Sequence, residues 1–182
     1  MNKSVCIIIP CYNEQENIAG VIAEVVALPG EREILVINDG STDATSMRAR
    51  ETGKAVVIDM PANLGVGGAV QTGLKYAARN NYQYAVKLDG DGQHNPASID
   101  SLLQPLHENN ADIVIGSRFI TENEGFKSTF WRRAGISVFE FIVRWLTGRR
   151  ITDATSGLRA YNRSAIEFME KYYPSFDYPE PE

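Results

Sequence analysis

Several features that define whole classes of protein are scarce in this chain. Its 182 residues include two cysteines, so no disulfide framework is supported and a reducing compartment is favoured. No apolar run approaches the roughly 18 residues of a membrane span, and residues 5–9 are too few for the apolar part of a signal peptide. The net charge of −5 argues against nucleic acid as a main partner. We expect a cytoplasmic protein.

What the sequence does contain is a regular alternation of two patterns. Short apolar runs rich in β-branched residues are followed by stretches with apolar residues at helical spacing. The runs, predicted to be strands, are residues 5–9, 33–37, 55–58, 84–88 and 112–115. Continuous apolar runs suit strands that are buried on both faces of a parallel sheet. The pattern predicts an α/β fold with a mainly parallel central sheet flanked by helices.

Capping signals predict where two helices begin. Asn13 is predicted to cap the first helix, with Glu16 three positions later as in a capping box. Asn95 is predicted to cap a later helix whose first position is Pro96. The predicted buried face of the first helix consists of Ile18, Val21, Ile22, Val25 and Val26.

The segment richest in chemistry follows the fourth apolar run. Asp89 and Asp91 are two positions apart, and on an extended backbone such residues project to the same side. Gly90 and Gly92 let a ligand approach the backbone closely. Because Mg²⁺ is typically held by one or two carboxylates plus substrate phosphates, the segment predicts a metal–diphosphate site at a strand end.

Closely spaced acidic residues and glycines also occur in plain turns and in calcium-binding loops. Asp-Gly pairs are common turn formers, so the segment by itself is also compatible with a plain polar turn. An EF-hand calcium loop is excluded, because it requires Gly at its sixth position and Glu at its twelfth, where this chain has His94 and Asp100.

A glycine-rich segment at residues 63–69 leads into another predicted helix. Such a helix start can bind a phosphate. A dinucleotide fingerprint starting at Gly65 would need glycine at Val70, and a P-loop starting at Gly68 would need lysine at Leu74. Phosphate binding and tight packing of the helix on the sheet are therefore equally supported here.

The predicted strand ends are expected to meet. Ligands of parallel sheets bind beyond the carboxyl ends of the strands. Polar or glycine-containing segments follow four of the predicted strands, at residues 10–14, 38–43, 89–93 and 116–118. Their convergence favours a binding site over a plain turn at Asp89 and Asp91.

The character of the sequence changes after Arg118. Residues 131–146 are predicted to form a helix that is apolar except for one stripe, made of Arg133, Ser137, Glu140 and Arg144. Such a helix is either deeply buried or in peripheral contact with a membrane surface. The basic residues at 148–150 suit anionic lipid or phosphate, and equally a solvated helix end.

Six motifs in this order resemble family 2 glycosyltransferases. They occupy residues 9–14, 38–43, 63–65, 89–94, 116–118 and 153–159, so the resemblance covers essentially the whole chain. The branch it resembles is the dolichol-phosphate mannosyltransferase type, which includes bacterial polyprenyl-phosphate sugar transferases. The resemblance implies a single GT-A domain, with a nucleotide-sugar part at 1–118 and an acceptor part at 119–182. It also implies a GDP-mannose-type or UDP-glucose-type donor, a polyprenyl-phosphate acceptor, Mg²⁺ or Mn²⁺, and inversion at the anomeric carbon.

The same resemblance assigns roles by position. Donor and nucleotide binding fall on Pro10, Tyr12, Glu14, Asp39, Asn63, Gly65 and Asp89. The implied metal ligands are Asp89, Asp91 and Gln93. Catalytic roles fall on Asp91, Arg118 and Arg159. Binding of the acceptor phosphate is assigned to Arg132 or Arg133, together with Ser137 and Ser156. A lipid acceptor implies that the protein works at the inner face of the membrane.

The chain departs from the family pattern in two respects. Asn38 stands where many relatives have Asp, and an amide in place of a carboxylate bears on contacts with the nucleobase. Relatives of this branch usually continue beyond the Pro-Glu-Pro-Glu segment with a further strand and sometimes transmembrane helices. We therefore expect this chain, which ends at Glu182, to be incomplete at its C-terminus.

Three functions follow from the resemblance. An acceptor phosphate is already ionised near neutral pH, with a second pKa of about 6, so transfer to it requires no side-chain base. Transfer to a sugar hydroxyl in polysaccharide synthesis would need a base, for which Asp153 and Glu180 are candidates. A non-catalytic nucleotide-sugar-binding domain is the third alternative.

Overall fold

In the part of the chain that the structure describes, a six-stranded sheet forms the centre. The structure is a computed structural model that describes residues 4–92, 95–116 and 157–172. The strands are β1 (Val5–Cys11), β2 (Arg32–Asn38), β3 (Ala55–Asp59), β4 (Tyr84–Lys87), β5 (Ile113–Ile115) and β6 (Arg159–Asn162). The helices are α1 (Ile18–Val26), α2 (Thr45–Glu51), α3 (Gly65–Arg79), α4 (Ile99–His107) and α5 (Arg163–Tyr172). A 3₁₀ turn, Pro96–Ser98, precedes α4.

The sheet is mainly parallel, as predicted, with one antiparallel strand inside it. Its order is β3-β2-β1-β4-β6-β5, and β1 to β4 pair in parallel. β6 lies between β4 and β5 and is antiparallel to both. Because β6 opposes both neighbours, β4 and β5 run in the same direction. The carboxyl ends of the first five strands therefore lie at one edge of the sheet.

Both faces of the sheet are covered by an apolar layer. In β1, Ile7 and Ile9 pack in the cluster that includes the apolar residues of α1 and α4. Ile8, between them, packs in the cluster that includes the apolar residues of α3 and α5. Successive strand residues point to opposite faces, so a strand covered on both sides must be apolar throughout. The continuous apolar run at the N-terminus has this physical cause.

β1 continues through Pro10, where the sequence predicted its end. The N–H of Leu88 donates to the carbonyl of Ile8 at 2.9 Å, so the backbone of Ile8 faces β4. Pro10, two positions later, faces the same side, but β4 ends at Lys87. The missing N–H of Pro10 therefore removes no ladder hydrogen bond.

The predicted start of the first helix was wrong. α1 begins at Ile18, and the carbonyl of Glu14 accepts hydrogen bonds from the N–H groups of Asn17 and Ile18. Asn13 adopts a φ of 56° and is not a cap. Four of the five apolar residues predicted for this helix are buried, whereas Val26 is 46% exposed.

The capping prediction for the later helix is confirmed. The side chain of Asn95 accepts a hydrogen bond from the N–H of Ala97 at 2.9 Å, and Pro96 holds the first position. The first turn is 3₁₀, and α4 continues from it at Ile99.

One glycine of α3 fits the helix directly against the sheet. A Cβ at Gly73 would lie 2.3 Å from Cγ2 of Ile8, whose side chain is fully buried. Gly73 thus sets the distance between α3 and β1. Tight packing of this helix on the sheet, one of the two interpretations of its glycine-rich start, is thus observed at Gly73.

We predict that Gly73→Ala destabilises the protein by about 1–3 kcal/mol, because the added methyl overpacks a filled core. Gly20→Ala is the matched control, since a Cβ at Gly20 in α1 meets nothing within 4 Å. The control should stabilise by about 0.5–1 kcal/mol through helix propensity. Urea denaturation of both variants measures the difference. Equal free energies of unfolding would contradict the packing role of Gly73.

Candidate active site

The loops that follow β1 and β2 are joined by side-chain hydrogen bonds. The N–H of Asn13 donates to the hydroxyl of Ser41 at 2.9 Å, and Oδ1 of Asn13 accepts from the N–H of Thr42 at 2.9 Å. The N–H of Glu14 donates to the hydroxyl of Thr45 at 2.8 Å. Asn13, predicted as a helix cap, instead bridges the two loops. Its left-handed φ is one that asparagine adopts more readily than most residues.

Asp43, in the loop after β2, accepts further hydrogen bonds from Gln15 and Thr45. Desolvation raises its pKa, but hydrogen bonds from the side chain and backbone of Thr45 and from the N–H of Gln15 outweigh it. The net result is a pKa below the ordinary value for an aspartate. Asp43 is therefore a fixed negative charge between the two loops at neutral pH.

The loops after β1 and β2, residues 12–17 and 39–44, thus form a double loop. The residues predicted to bind the donor nucleotide lie in it, at the ends of β1 and β4, and at the start of α3. Pro10 lies in β1, and Tyr12 follows that strand with its side chain 48% exposed. Asp39 is 3% exposed, and its Oδ1 accepts from the N–H of Leu64 at 2.8 Å. Oδ1 of Asn63 accepts from the N–H of Gly65 at 2.9 Å. Asp39 and Asn63 thus fix the start of α3 beside the end of β2.

Asn38, the departure from the family pattern, has a partner of its own. Its Nδ2 donates to Oδ1 of Asp59 at 2.9 Å, and the two residues are register partners at the ends of β2 and β3. The Ser46 hydroxyl, followed by the Asn38 amide and the Arg50 guanidinium, holds the pKa of Asp59 below its ordinary value against the effect of desolvation. An aspartate at position 38 would place two carboxylates side by side.

We predict that Asn38→Asp destabilises the protein at pH 7 by about 1 kcal/mol, because like charges then face each other across neighbouring strands. The difference from wild type should shrink as the pH falls below about 4, where carboxylates become protonated. The double variant Asn38→Asp/Asp59→Asn removes the repulsion and loses only the exposed Arg50–Asp59 ion pair, so it should recover most of the loss. Thermal unfolding between pH 3 and pH 8 measures all three proteins. A loss that does not depend on pH, or that the double variant retains, would contradict this pairing.

The acidic turn after β4 is packed against the end of β1. A Cβ at Gly90 would lie 2.7 Å from Sγ of Cys11 and 3.2 Å from the carbonyl oxygen of Pro10. Gly92 has a φ of 74°, which side-chain-bearing residues rarely adopt. The two glycines are therefore required by the close approach of the protein itself and by the turn. The segment is a turn, and this turn presents Asp89 and Asp91 at the carboxyl edge of the sheet.

The pKa of the Cys11 thiol reflects the negative charge at the carboxyl edge of the sheet. The pKa of its thiol is raised, first by burial and then by the negative charges of Glu14, Asp89, Asp43 and Asp91. These carboxylates come from the loops after β1, β2 and β4. Neither Cys11 nor Cys6 is in a disulfide, in agreement with the prediction. Three of the four predicted strand-end segments thus come together around one strongly acidic region.

Asp89 is held on both sides by groups of this chain. Nζ of Lys87 lies 3.1 Å from Oδ1 of Asp89. The opposite oxygen lies against Gly157, where a Cβ would be 1.6 Å from Oδ2. The space that glycine leaves at position 157 is filled by the Asp89 carboxylate.

Lys87 is a residue whose role the sequence prediction missed. The residue is 1% exposed, although lysine is almost never fully buried without a partner. The sequence feature that could have indicated this role is a lysine near the end of an apolar strand, two positions before Asp89. Arg159, predicted as catalytic, is the register partner of Lys87 on β6. Both cationic residues are therefore at the same edge as the acidic turn.

The acidic turn fits a hard divalent cation. Asp89 and Asp91 offer oxygen donors of the kind that Mg²⁺ and Mn²⁺ bind. Within residues 4–92, 95–116 and 157–172, no group of three or more His, Cys, Asp or Glu side chains is close enough to hold a metal ion. A cation here would thus need further ligands, which diphosphate oxygens supply in sites of this type.

Several predicted site residues lie outside the described residues. They are Gln93, Arg118, Arg132, Arg133, Ser137 and Ser156, together with the predicted helix at 131–146 and the basic residues at 148–150. The fourth strand-end segment is described only at Gly116, whose N–H donates to the carbonyl of Leu158 at 2.9 Å.

The sequence also matches a model of a known protein family. The family model described as Glycosyl transferase family 2 matches residues 6–169. The chain belongs to glycosyl transferase family 2. It is thus a glycosyltransferase domain. Within the described ranges, none of its helices is both long and apolar enough to cross a membrane.

Curated relatives of this family 2 domain have names that include a dolichyl phosphate or a polyprenol. The UDP-N-acetylglucosamine–dolichyl-phosphate N-acetylglucosaminyltransferase of Methanococcus voltae is 32% identical over 93% of this chain and 74% of the relative. The polyprenol monophosphomannose synthase of Mycolicibacterium smegmatis is 34% identical over 90% of this chain and 63% of the relative.

Solved structures share the GT-A fold. Glucosyl-3-phosphoglycerate synthase of Mycobacterium tuberculosis, crystallised with Mn²⁺, UDP-glucose and phosphoglyceric acid, matches with a TM-score of 0.65 and 24% identity. Mannosyl-3-phosphoglycerate synthase of Rubrobacter xylanophilus matches with a TM-score of 0.67 and 19% identity. The chain covers 57% and 53% of these two proteins, so it corresponds to little more than half of each.

We predict different consequences for the two carboxylates of the turn. Asp89→Ala should lower the free energy of unfolding by up to about 3 kcal/mol, because it leaves the buried ammonium of Lys87 without this carboxylate. Asp91→Ala keeps the Lys87–Asp89 pair and should cost about 1 kcal/mol or less. Urea titrations of the two variants make the comparison. Equal losses would contradict the structural role of the pair.

Proposed function

We propose that this domain transfers a hexose from a nucleotide sugar of the GDP-mannose or UDP-glucose type to a polyprenyl phosphate, with a divalent metal and with inversion. The observation that carries the proposal is the acidic turn at Asp89 and Asp91, held against β1 beside the double loop. The acceptor class is supported by the names of relatives that are 32% and 34% identical.

The donor half of the site would be formed by the loops after β1, β2 and β4. Tyr12 offers an exposed aromatic face, and Asp39 holds the start of α3 in place. Asp89 and Asp91 would hold Mg²⁺ or Mn²⁺ against the diphosphate. When bound, the cation would offset the negative charge that builds up on the leaving diphosphate.

The reaction would be a single displacement at the anomeric carbon. An oxygen of the acceptor phosphate forms the new bond to this carbon, and the bond to the donor diphosphate breaks. The electron pair of that bond leaves with the nucleoside diphosphate. The acceptor phosphate is already an anion, so no side chain has to remove a proton. Arg159 would contribute positive charge next to the two phosphates.

A hydroxyl acceptor is the competing proposal, and the solved neighbours give it specific support. One of them was crystallised with phosphoglyceric acid, a small phosphorylated acid that carries a hydroxyl group. A hydroxyl must lose its proton during transfer, and the candidate bases Asp153 and Glu180 lie outside the described residues. The lipid phosphate is the acceptor class that the names of the relatives above 30% identity support.

The test is a transfer assay with radiolabelled GDP-mannose and UDP-glucose on the 182-residue chain. The acceptors are a short-chain polyprenyl phosphate and, separately, phosphoglyceric acid. We expect a labelled lipid product that requires Mn²⁺ or Mg²⁺ and disappears with a chelator. Asp91→Asn should lower the rate by about 10²–10³-fold, the usual cost of losing one stabiliser of transition-state charge.

Glu24→Gln, an equivalent change of charge on the exposed face of α1, is the matched control and should leave the rate unchanged. Product with phosphoglyceric acid alone would establish the competing acceptor class. Donor binding without product from either acceptor would overturn the proposed transferase activity of this chain and favour a binding domain.

A further inference from the structure

A lysine in the core lies directly behind the candidate metal site. Lys87 is the last residue of β4, and its side chain is 2% exposed. Its register partners are Ile8 on β1 and Arg159 on β6, so its neighbours in the sheet are an apolar residue and another cation. Its ammonium group reaches the edge of the sheet at Oδ1 of Asp89, 3.1 Å away.

The Asp89 carboxylate is limited on its other side by backbone. Gly157 immediately precedes Leu158 and β6, and an added Cβ there would lie 1.6 Å from Oδ2 and 2.5 Å from Cγ of Asp89. The next residue of the turn, Gly90, is in turn packed against Cys11. The carboxylate is therefore confined between an ammonium group and a glycine backbone, on a turn that is itself packed against β1.

We propose that Lys87 is a positioning residue for the metal–diphosphate site, which acts by holding Asp89 in its binding orientation, with Gly157 providing the space. This inference rests on the proposed function, because it assigns the orientation of Asp89 to the metal site. Lys87 would not contact the metal. Its ammonium would hold one oxygen of this carboxylate in place, so that less conformational freedom is lost on binding.

The direction in which metal affinity changes when Lys87 is removed distinguishes a positioning role from simple electrostatic repulsion. A buried ammonium group near a metal site repels the incoming cation and competes for the same carboxylate. If that were its main effect, removing Lys87 would strengthen metal binding. If Lys87 positions Asp89, removing it weakens metal binding, although a positive charge has been taken away.

The test measures Mn²⁺ binding by electron paramagnetic resonance, in the presence of GDP or UDP. Lys87→Met keeps much of the side-chain volume and removes the charge. We expect it to weaken Mn²⁺ binding about 10–100-fold, the usual effect of losing a partner that orients a metal ligand. Lys54→Met, at an exposed site before β3, is the matched control and should bind Mn²⁺ as wild type does.

A role exerted through Asp89 makes a second, independent prediction. In a background of Asp89→Asn, the change Lys87→Met should weaken Mn²⁺ binding no further, because the group that it positions has already been altered. A general structural role of Lys87 would give additive losses instead. Gly157→Ala, which displaces the same carboxylate from its other side, should reproduce the loss and remains decisive if Lys87→Met does not fold.

Three outcomes would overturn the inference. They are tighter Mn²⁺ binding in folded Lys87→Met, unchanged binding in either Lys87→Met or Gly157→Ala, and additive losses in the double variant. If wild type binds Mn²⁺ and only these variants behave unexpectedly, the proposed function stands. If wild type binds no Mn²⁺ with either nucleotide, the proposed metal site fails and this inference fails with it.

Discussion

The parallel pairing of β1 with both β2 and β4 is the constraint on which the site depends. It brings three loops from distant parts of the chain to one edge of the sheet. Helices cover both faces of this central strand, which is why β1 is apolar from Val5 to Ile9. Stability and site geometry therefore have one origin, since the strands that form the core also determine where the acidic side chains lie.

Many of the polar residues at this edge form hydrogen bonds or ion pairs with other parts of the protein. Asn13 joins the loops after β1 and β2, and Asp39 holds the start of α3. Asp89 is held between Lys87 and Gly157. Hydrogen bonds and ion pairs of this kind fix side chains before a ligand arrives, so less freedom is lost on binding. Several residues of the sequence motifs therefore hold the binding groups in place.

Glycines contribute to this arrangement by the space that they leave. Gly73 sets α3 against β1, Gly90 brings the acidic turn against Cys11, and Gly157 accommodates the Asp89 carboxylate. In each case the neighbour is another part of the protein. Glycine near an active site is therefore explained here by close packing of the chain, and glycine-rich segments need not indicate direct contact with a ligand.

The sequence by itself determined the alternation of strands and helices, the parallel character of the sheet and the position of the acidic turn. These follow from local periodicity and from residues adjacent in the chain, such as Asp89 and Asp91. Only the tertiary structure decided that β6 enters between β4 and β5, that Asn13 bridges two loops, that Asn38 pairs with Asp59, and that Lys87 and Gly157 confine Asp89. The physical reason is separation along the chain. Asn13 and Thr42, or Asp89 and Gly157, meet only because the sheet brings them together, and no local pattern encodes such a distance.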